Sequence, residues 1–129
     1  MLQLRAHHIC CLRFSNAEHK ERDSAFGQVQ NKIKSVLLSQ PETAVVVVEG
    51  VDELCHQCIN CVDECCISPK GDEVAVRKWD AILLKELGLP FGTCLTSGEW
   101  QALIEQKTPF KLCQRCLWKP TCSVGINLL

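Results

Sequence analysis

Tyrosine is absent from this 129-residue chain, aromatic residues make up only 5% of it, and there is one methionine. A core built from this composition buries few large rings and needs cohesion from aliphatic side chains or from a cross-link. An excess of either charge is also lacking, because 14 Lys+Arg face 15 Asp+Glu for a formal net charge of −1. That balance gives no electrostatic reason to expect a nucleic-acid or membrane-surface partner. The longest apolar run, Ala44 to Val48, is far too short to span a bilayer. The first residues carry no basic segment followed by an extended apolar stretch and do not read as a signal peptide. No phosphate-binding glycine loop, nucleophile elbow or HExxH helix is present, so no familiar catalytic pattern names a reaction. Internal repeats and low-complexity linkers are missing too, and the length fits a single domain over residues 1–129.

Against these absences stands one excess: 11 cysteines. Disulfide scaffolds belong to oxidising compartments, whereas clustered cysteines in a reducing cytosol bind metal. An odd number of thiols cannot all be consumed by disulfides. Together with the missing signal peptide, this favours metal ligation in a cytoplasmic protein. Hydrophobic residues at 47% and charged residues at 22% are ordinary for a folded globular chain.

Periodicity predicts a mostly helical α+β domain with about three helices, a short two-stranded sheet and two cysteine-rich metal-binding loops. The first helix is expected over residues 15–39. Ser15 and Glu18 make a capping-box pattern, Phe26, Val29, Ile33, Val36 and Leu37 line one face, and Pro41 ends it. The polar face carries Lys20, Glu21, Arg22, Asp23, Lys32 and Lys34. Ala44 to Glu49 is β-branched and reads as a buried strand, with Leu2 to Arg5 the best candidate to pair with it. A second helix is expected over 72–87, with Asp72 as cap, Val76, Trp79, Leu83 and Leu87 inward, and Gly88 and Pro90 as stop signals. A third starts at the Thr96/Glu99 capping box, turns Trp100, Leu103 and Ile104 inward and fades at Thr108-Pro109. The segment from Gly50 to Pro69 and the tail from Lys111 to Leu129 read as loops.

The loops carry the chemistry. Cys55-x2-Cys58-x2-Cys61-x3-Cys65, followed at once by Cys66, has the spacing of the bacterial ferredoxin run for a cubane cluster. Two intervening residues let tight turns wrap successive thiolates around a small metal core. The fourth ligand is left open between Cys65 and Cys66, and a zinc knot built from the same turns is the alternative. In the tail, Cys113-x2-Cys116-x5-Cys122 supplies three more thiols, and Cys10, Cys11, Cys65 or Cys66 could complete the set. A redox dithiol would follow a strand and open a helix, a setting absent around Cys113. Trp118 reads as a residue closing the core over the sulfurs. At the N-terminus, His7-His8-Ile9-Cys10-Cys11 is read as strand-like, so that at most one of the adjacent histidines faces a metal. His56 fits either a hydrogen bond to a bound sulfur or a solvated loop position, and His19 an exposed helix face. Cys94 has no nearby thiol and reads as a small buried hydrophobe. Carboxylates fall over several helix faces, with no acid–base pair evident.

Taken together, these motifs resemble a bacterial and archaeal family, domain of unknown function 1284, whose members are described as iron–sulfur-binding proteins. The family pattern Leu-Arg-Pro-His-His-Leu-Leu-Cys is matched by Leu4 to Cys11, with Ala6 in place of the proline. Gly-x-Asp-Asp-Ile-Cys-x-x-Cys is matched by Gly50 to Cys58, with Ile59 where a proline usually follows. Cys-x-x-Cys-x-Trp and a further cysteine are matched by Cys113, Cys116, Trp118 and Cys122. Cys10, Cys61, Cys94 and one of Cys65 and Cys66 are additional to the family's set. The resemblance implies that His7, His8 and Cys11 approach the cofactor. It also implies metal ligation by Cys55, Cys58, Cys113, Cys116 and Cys122, plus Cys65 or Cys66. With Cys61 from the ferredoxin-like run, the expectation is one or two [4Fe–4S] clusters and an electron-transfer or accessory role beside a redox protein partner. The alternatives are a structural zinc module and a small enzyme whose cluster has an open site, with His7 or His8 as proton donor.

Overall fold

The computed structural model describes residues 1–15, 24–68, 71–117 and 119–129. In chain order the elements are β1 (Leu2–Arg5), α1 (Ala6–Cys11), α2 (Ser24–Ser39), β2 (Ala44–Val48), β3 (Cys61–Val62), β4 (Cys65–Ser68), β5 (Gly71–Asp72), α3 (Glu73–Leu87), β6 (Cys94–Thr96) and α4 (Ser97–Lys107). Short 3-10 helices cover Cys55–Gln57, Lys111–Arg115, Lys119–Thr121 and Gly125–Leu128.

The expected pairing of the N-terminal and valine strands is present: β1 and β2 run parallel, from Leu2↔Val45 to Arg5↔Val48. Parallel neighbours need a crossover, and α1 and α2 lie on it. The sheet has a third strand, since β6 pairs antiparallel with the other edge of β2. Three residues are too few to show alternation in sequence, so Cys94–Thr96 is recognisable as a strand only through this pairing. With both edges bonded, β2 is central, and Val45 and Val47 are fully buried.

The main departure from expectation is α1. His7 and His8 stand on a helix, not a strand. Six residues do not sustain a helix in isolation, and the N-cap residue Arg5 makes no side-chain cap. Instead, carboxylates from distant positions take its first amides: Asp52 Oδ2 accepts the Arg5 N–H at 2.8 Å and Asp80 Oδ1 the His7 N–H at 3.0 Å. Arg13, buried just beyond α1, donates to the carbonyls of Ile9, Leu37 and Ser97 and so ties α1, α2 and α4 together.

α2 buries Phe26, Ile33 and Leu37 as its spacing predicts. Ser15 pairs with Cys122 in an antiparallel bridge. Glu18, His19, Lys20, Glu21, Arg22 and Asp23 lie outside the described residues, as does Trp118. α3 has the expected ends: Asp72 accepts the Ala75 N–H, and Gly88 closes it at φ 74°. Val76, Leu83 and Leu87 are buried on it, and so is Asp80, which an apolar stripe does not predict. Trp79 is half-buried against Gly71, where a Cβ would come within 2.1 Å of the ring. α4 carries the complete Thr96/Glu99 capping box, and its Trp100 donates from the indole to the Val45 carbonyl at 2.9 Å.

The central cysteine segment, expected as a loop, supplies two strands of a second three-stranded sheet in the order β3-β4-β5. Its tight turn places Asp63 at φ 51° and Glu64 at φ 60°. Both central residues are therefore left-handed, as in a type I′ hairpin, although the usual Asn-Gly signal is absent. The tail is wound into 3-10 turns and is held to the segment after α1 by the Ser15–Cys122 bridge and a Ser123 N–H to Phe14 carbonyl bond of 2.8 Å. No helix among the described residues is long and apolar enough to cross a membrane.

Trp100→Phe removes the donor to the fully enclosed Val45 carbonyl. It is expected to destabilise the protein by about 1–3 kcal/mol, measured by chemical denaturation, with little change in the secondary structure seen by circular dichroism.

Candidate metal centre

Each CxxC folds into the same kind of turn, closed by a backbone bond from the second cysteine to the first. These are Cys58 N–H to Cys55 carbonyl (2.9 Å), Cys61 to Cys58 (3.1 Å) and Cys116 to Cys113 (3.2 Å). The turns leave other amides free to point at sulfur, and the Asn60 N–H lies 3.4 Å from Cys58 Sγ. All 11 cysteines are free thiols.

The β3–β4 hairpin distinguishes Cys65 from Cys66. Cys61 pairs with Cys66, and Val62 with Cys65. Residues opposite one another across a ladder share a face, and successive residues alternate. Cys66 is therefore on the side of Cys61, while exposed Cys65 keeps company with exposed Val62. At the N-terminus the pair Cys10 and Cys11 separates in a similar way. Cys10 is a core residue, 1% exposed, and burial pushes its thiol up to about 12. Cys11 turns toward the tail: burial raises its pKa well above the usual thiol value, and the thiols of Cys10, Cys113, Cys116 and Cys122 add to the rise.

These segments open onto one cavity of about 450 Å³. Its wall includes Cys10, Cys11, Cys55, Cys58, Cys61, Cys66, Cys113, Cys116 and Cys122, with Leu12, Leu54, Phe26 and Phe110 as apolar filling. Cys65 and Cys94 are outside it. Cys94 is exposed on β6, with Met1 Sδ 3.9 Å from its sulfur, and is not the buried hydrophobe its isolation in sequence suggests. His56 is half-exposed and pairs with Glu64 at 3.2 Å, which corresponds to the solvated alternative.

Both neighbouring histidines also line the cavity, and each is held by a buried carboxylate. His7 Nδ1 lies 2.8 Å from Asp80 and His8 Nδ1 2.5 Å from Asp52. Helix geometry thus lets both face the cavity wall, where a strand would have parted them. Burial lowers the pKa of His8 below its usual value and outweighs the pull of Asp52. A neutral His8 donates its Nδ1–H to Asp52, which leaves Nε2 as the nitrogen able to accept a ligand or proton. Burial alone would raise Asp52, but His8 and the N–H groups of Arg5 and Cys55 overcome it and hold the carboxyl far below the usual range. His8, Asp52 and Cys55 bring a ring nitrogen, a carboxylate oxygen and a sulfur within 4.8 Å of one another, close enough to hold one metal ion.

Two carboxylates clamp the ends of the central cysteine segment to the β1–α1 junction. Asp52 accepts the Cys55 N–H at 2.9 Å and the main-chain N–H of Arg5. Glu73 accepts the Cys66 N–H at 3.0 Å and both of its oxygens meet Arg5 Nη2, at 2.6 and 2.8 Å. Arg77 adds a 2.6 Å bond to Glu73 from the solvent side. Burial pushes the Glu73 pKa up, but these donors bring it below the ordinary value. Arg5, Asp52, Glu73 and Asp80 were not legible as site residues in the sequence, because their partners lie between 3 and 73 positions away and on different elements.

The sequence model of a family described as protein of unknown function (DUF1284) matches residues 23–122. His7, His8 and Cys11 precede the matched span. No curated protein and no solved structure is significantly similar to the chain.

In metal-free protein, the depressed Asp52 pKa contributes stability above the unfolded carboxylate value of about 3.9 and loses it below, where the unfolded chain takes up the proton that native Asp52 refuses. Asp52→Asn should remove this part of the acid dependence. It should also cost about 3 kcal/mol at pH 7 in urea denaturation, the scale of losing charged hydrogen bonds.

Proposed function

Because this chain belongs to the DUF1284 family, whose description names no reaction, we propose a function from the chemistry of the site: binding of an iron–sulfur cluster, in the service of electron transfer or an accessory role beside a redox protein. The observation that supports it is the convergence of three cysteine-bearing segments, 55–66, 113–122 and α1, on one cavity. In this reading Cys55, Cys58, Cys61 and Cys66 form one ligand set. Cys11, Cys113, Cys116 and Cys122 form the other.

The residues fit such a group. The donors are soft thiols in tight turns, an amide already points at Cys58 Sγ, and apolar side chains close the cavity. A bound cluster supplies one-electron chemistry at a potential set by burial and by hydrogen bonds to sulfur. The chain's own work is to fix the thiols before metal arrives: Asp52 and Glu73 hold the amides of Cys55 and Cys66, and Asp80 and Asp52 hold the two histidine rings. Such outer partners commonly alter metal affinity by 10–100-fold when lost.

One observation favours a second reading. The His8–Asp52–Cys55 group mixes nitrogen, oxygen and sulfur donors around a single-ion space, which suits zinc as a structural ion.

Anaerobic purification with iron, sulfide and zinc analysis separates the two. The cluster reading expects brown protein with thiolate-to-iron absorption and matched iron and sulfide; colourless, zinc-loaded protein favours the second. Cys58→Ser and Cys11→Ser should each abolish or halve the bound iron, whereas Cys65→Ser and Cys94→Ser should leave it intact. If the Cys65 and Cys58 variants lose metal equally, the ligand sets drawn here are wrong.

A further inference from the structure

Arg5 is 1% exposed, yet its Nε is a buried donor with no hydrogen-bond partner. The salt bridge to Glu73 does not explain that nitrogen, because both oxygens of Glu73 are met by Nη2. An unpaired N–H on a buried cation is costly and calls for an acceptor that completes the site. On the wall that Arg5 shares with Cys55, Cys61 and Cys66, the acceptor that metal binding would create is anionic sulfur. Arg5 is also fastened to both ends of that segment: its main-chain N–H shares the Asp52 carboxylate with the Cys55 N–H, and its Nη2 shares Glu73 Oε1 with the Cys66 N–H.

We infer that Arg5 is the cation partner of the metal–thiolate group held by the central cysteine segment, donating its Nε–H to sulfur and stabilising the negative charge gathered there. This rests on the metal-binding reading above and deepens it. Four thiolates make a bound metal group net negative, and one added electron makes it more so. A fixed cation beside it therefore favours the reduced form, and the opposite charge of Glu73 tempers that effect. Glu73 is also the residue that holds the Cys66 amide, so the potential-setting pair and the scaffold of the hairpin are one unit.

The two partners predict shifts of opposite sign, which a purely structural role would not produce. After anaerobic reconstitution with iron and sulfide, metal content and midpoint potential are measured for wild type, Arg5→Gln, Arg5→Lys and Glu73→Gln. Gln at 73 keeps an acceptor for the Cys66 amide. Arg5→Gln should lower the reduced-to-oxidised ratio about tenfold at the wild-type midpoint, equivalent to about −59 mV for one electron. Arg5→Lys should fall between, and Glu73→Gln should shift in the positive direction. Midpoints that stay unmoved, or that move together, with metal retained, overturn the role of Arg5 alone. If the wild type carries zinc instead, chelator competition replaces the potential. Arg5→Gln is then expected to bind zinc about tenfold more weakly and Glu73→Gln no more weakly than wild type, and equal affinities for wild type and Arg5→Gln overturn the proposal. A wild-type chain that takes up neither metal overturns the function proposed above, and the role of Arg5 with it.

Discussion

The Asp52 carboxylate is enclosed almost completely, 2% exposed, so every lone pair it leaves unmet is a cost that water cannot relieve. It meets that constraint by accepting from the Arg5 main chain, the Cys55 main chain and the His8 ring. Those bonds join the end of the first strand, the start of the cysteine segment and the face of α1. Removing the carboxylate would leave α1 without one of the acceptors that let so short a helix start. The orientation of His8 and the placement of Cys55 depend on the same atom pair. Stability and site geometry are thus a single problem at this position.

Asp80 and Glu73 repeat the device from α3. Asp80 reaches from the buried face of the helix to the amide and ring of His7, and Glu73 from its first turn to Arg5 and the Cys66 amide. One helix therefore sets Arg5 and His7 at the β1–α1 junction and the far end of the central hairpin. The tail is fixed differently, by backbone pairing of Cys122 with Ser15 and of Ser123 with Phe14 just past α1. With few large rings available, the fold holds its irregular segments by polar bonds to a compact aliphatic core.

Local signals were informative where local physics decides. The Thr96/Glu99 box, the Asp72 cap, the Gly88 stop and the valine strand all stand where short-range capping, left-handed backbone and β-branching put them. They failed where the stabilising partner is distant in sequence. α1 has no local cap, β6 has only three residues, and the hairpin turn uses Asp63-Glu64 in a conformation that glycine or asparagine normally signals. The buried positions of Asp52 and Asp80 could not be told from those of exposed carboxylates, because a charged residue reveals its burial only through the groups that neutralise it.

From the sequence alone came the gathering of thiols into a central and a terminal group, their CxxC spacing, and the helices that flank them. Spacing is a property of the chain, and a tight turn needs no help from afar. Tertiary structure alone decided which thiols share a cavity, taking Cys66 over Cys65 by the alternation of a hairpin, and it set the core-buried Cys10 apart from Cys11, which keeps company with the thiols of the tail. It also decided that both histidines reach the cavity wall, because that depends on two buried carboxylates, each bonded across more than 40 positions of chain.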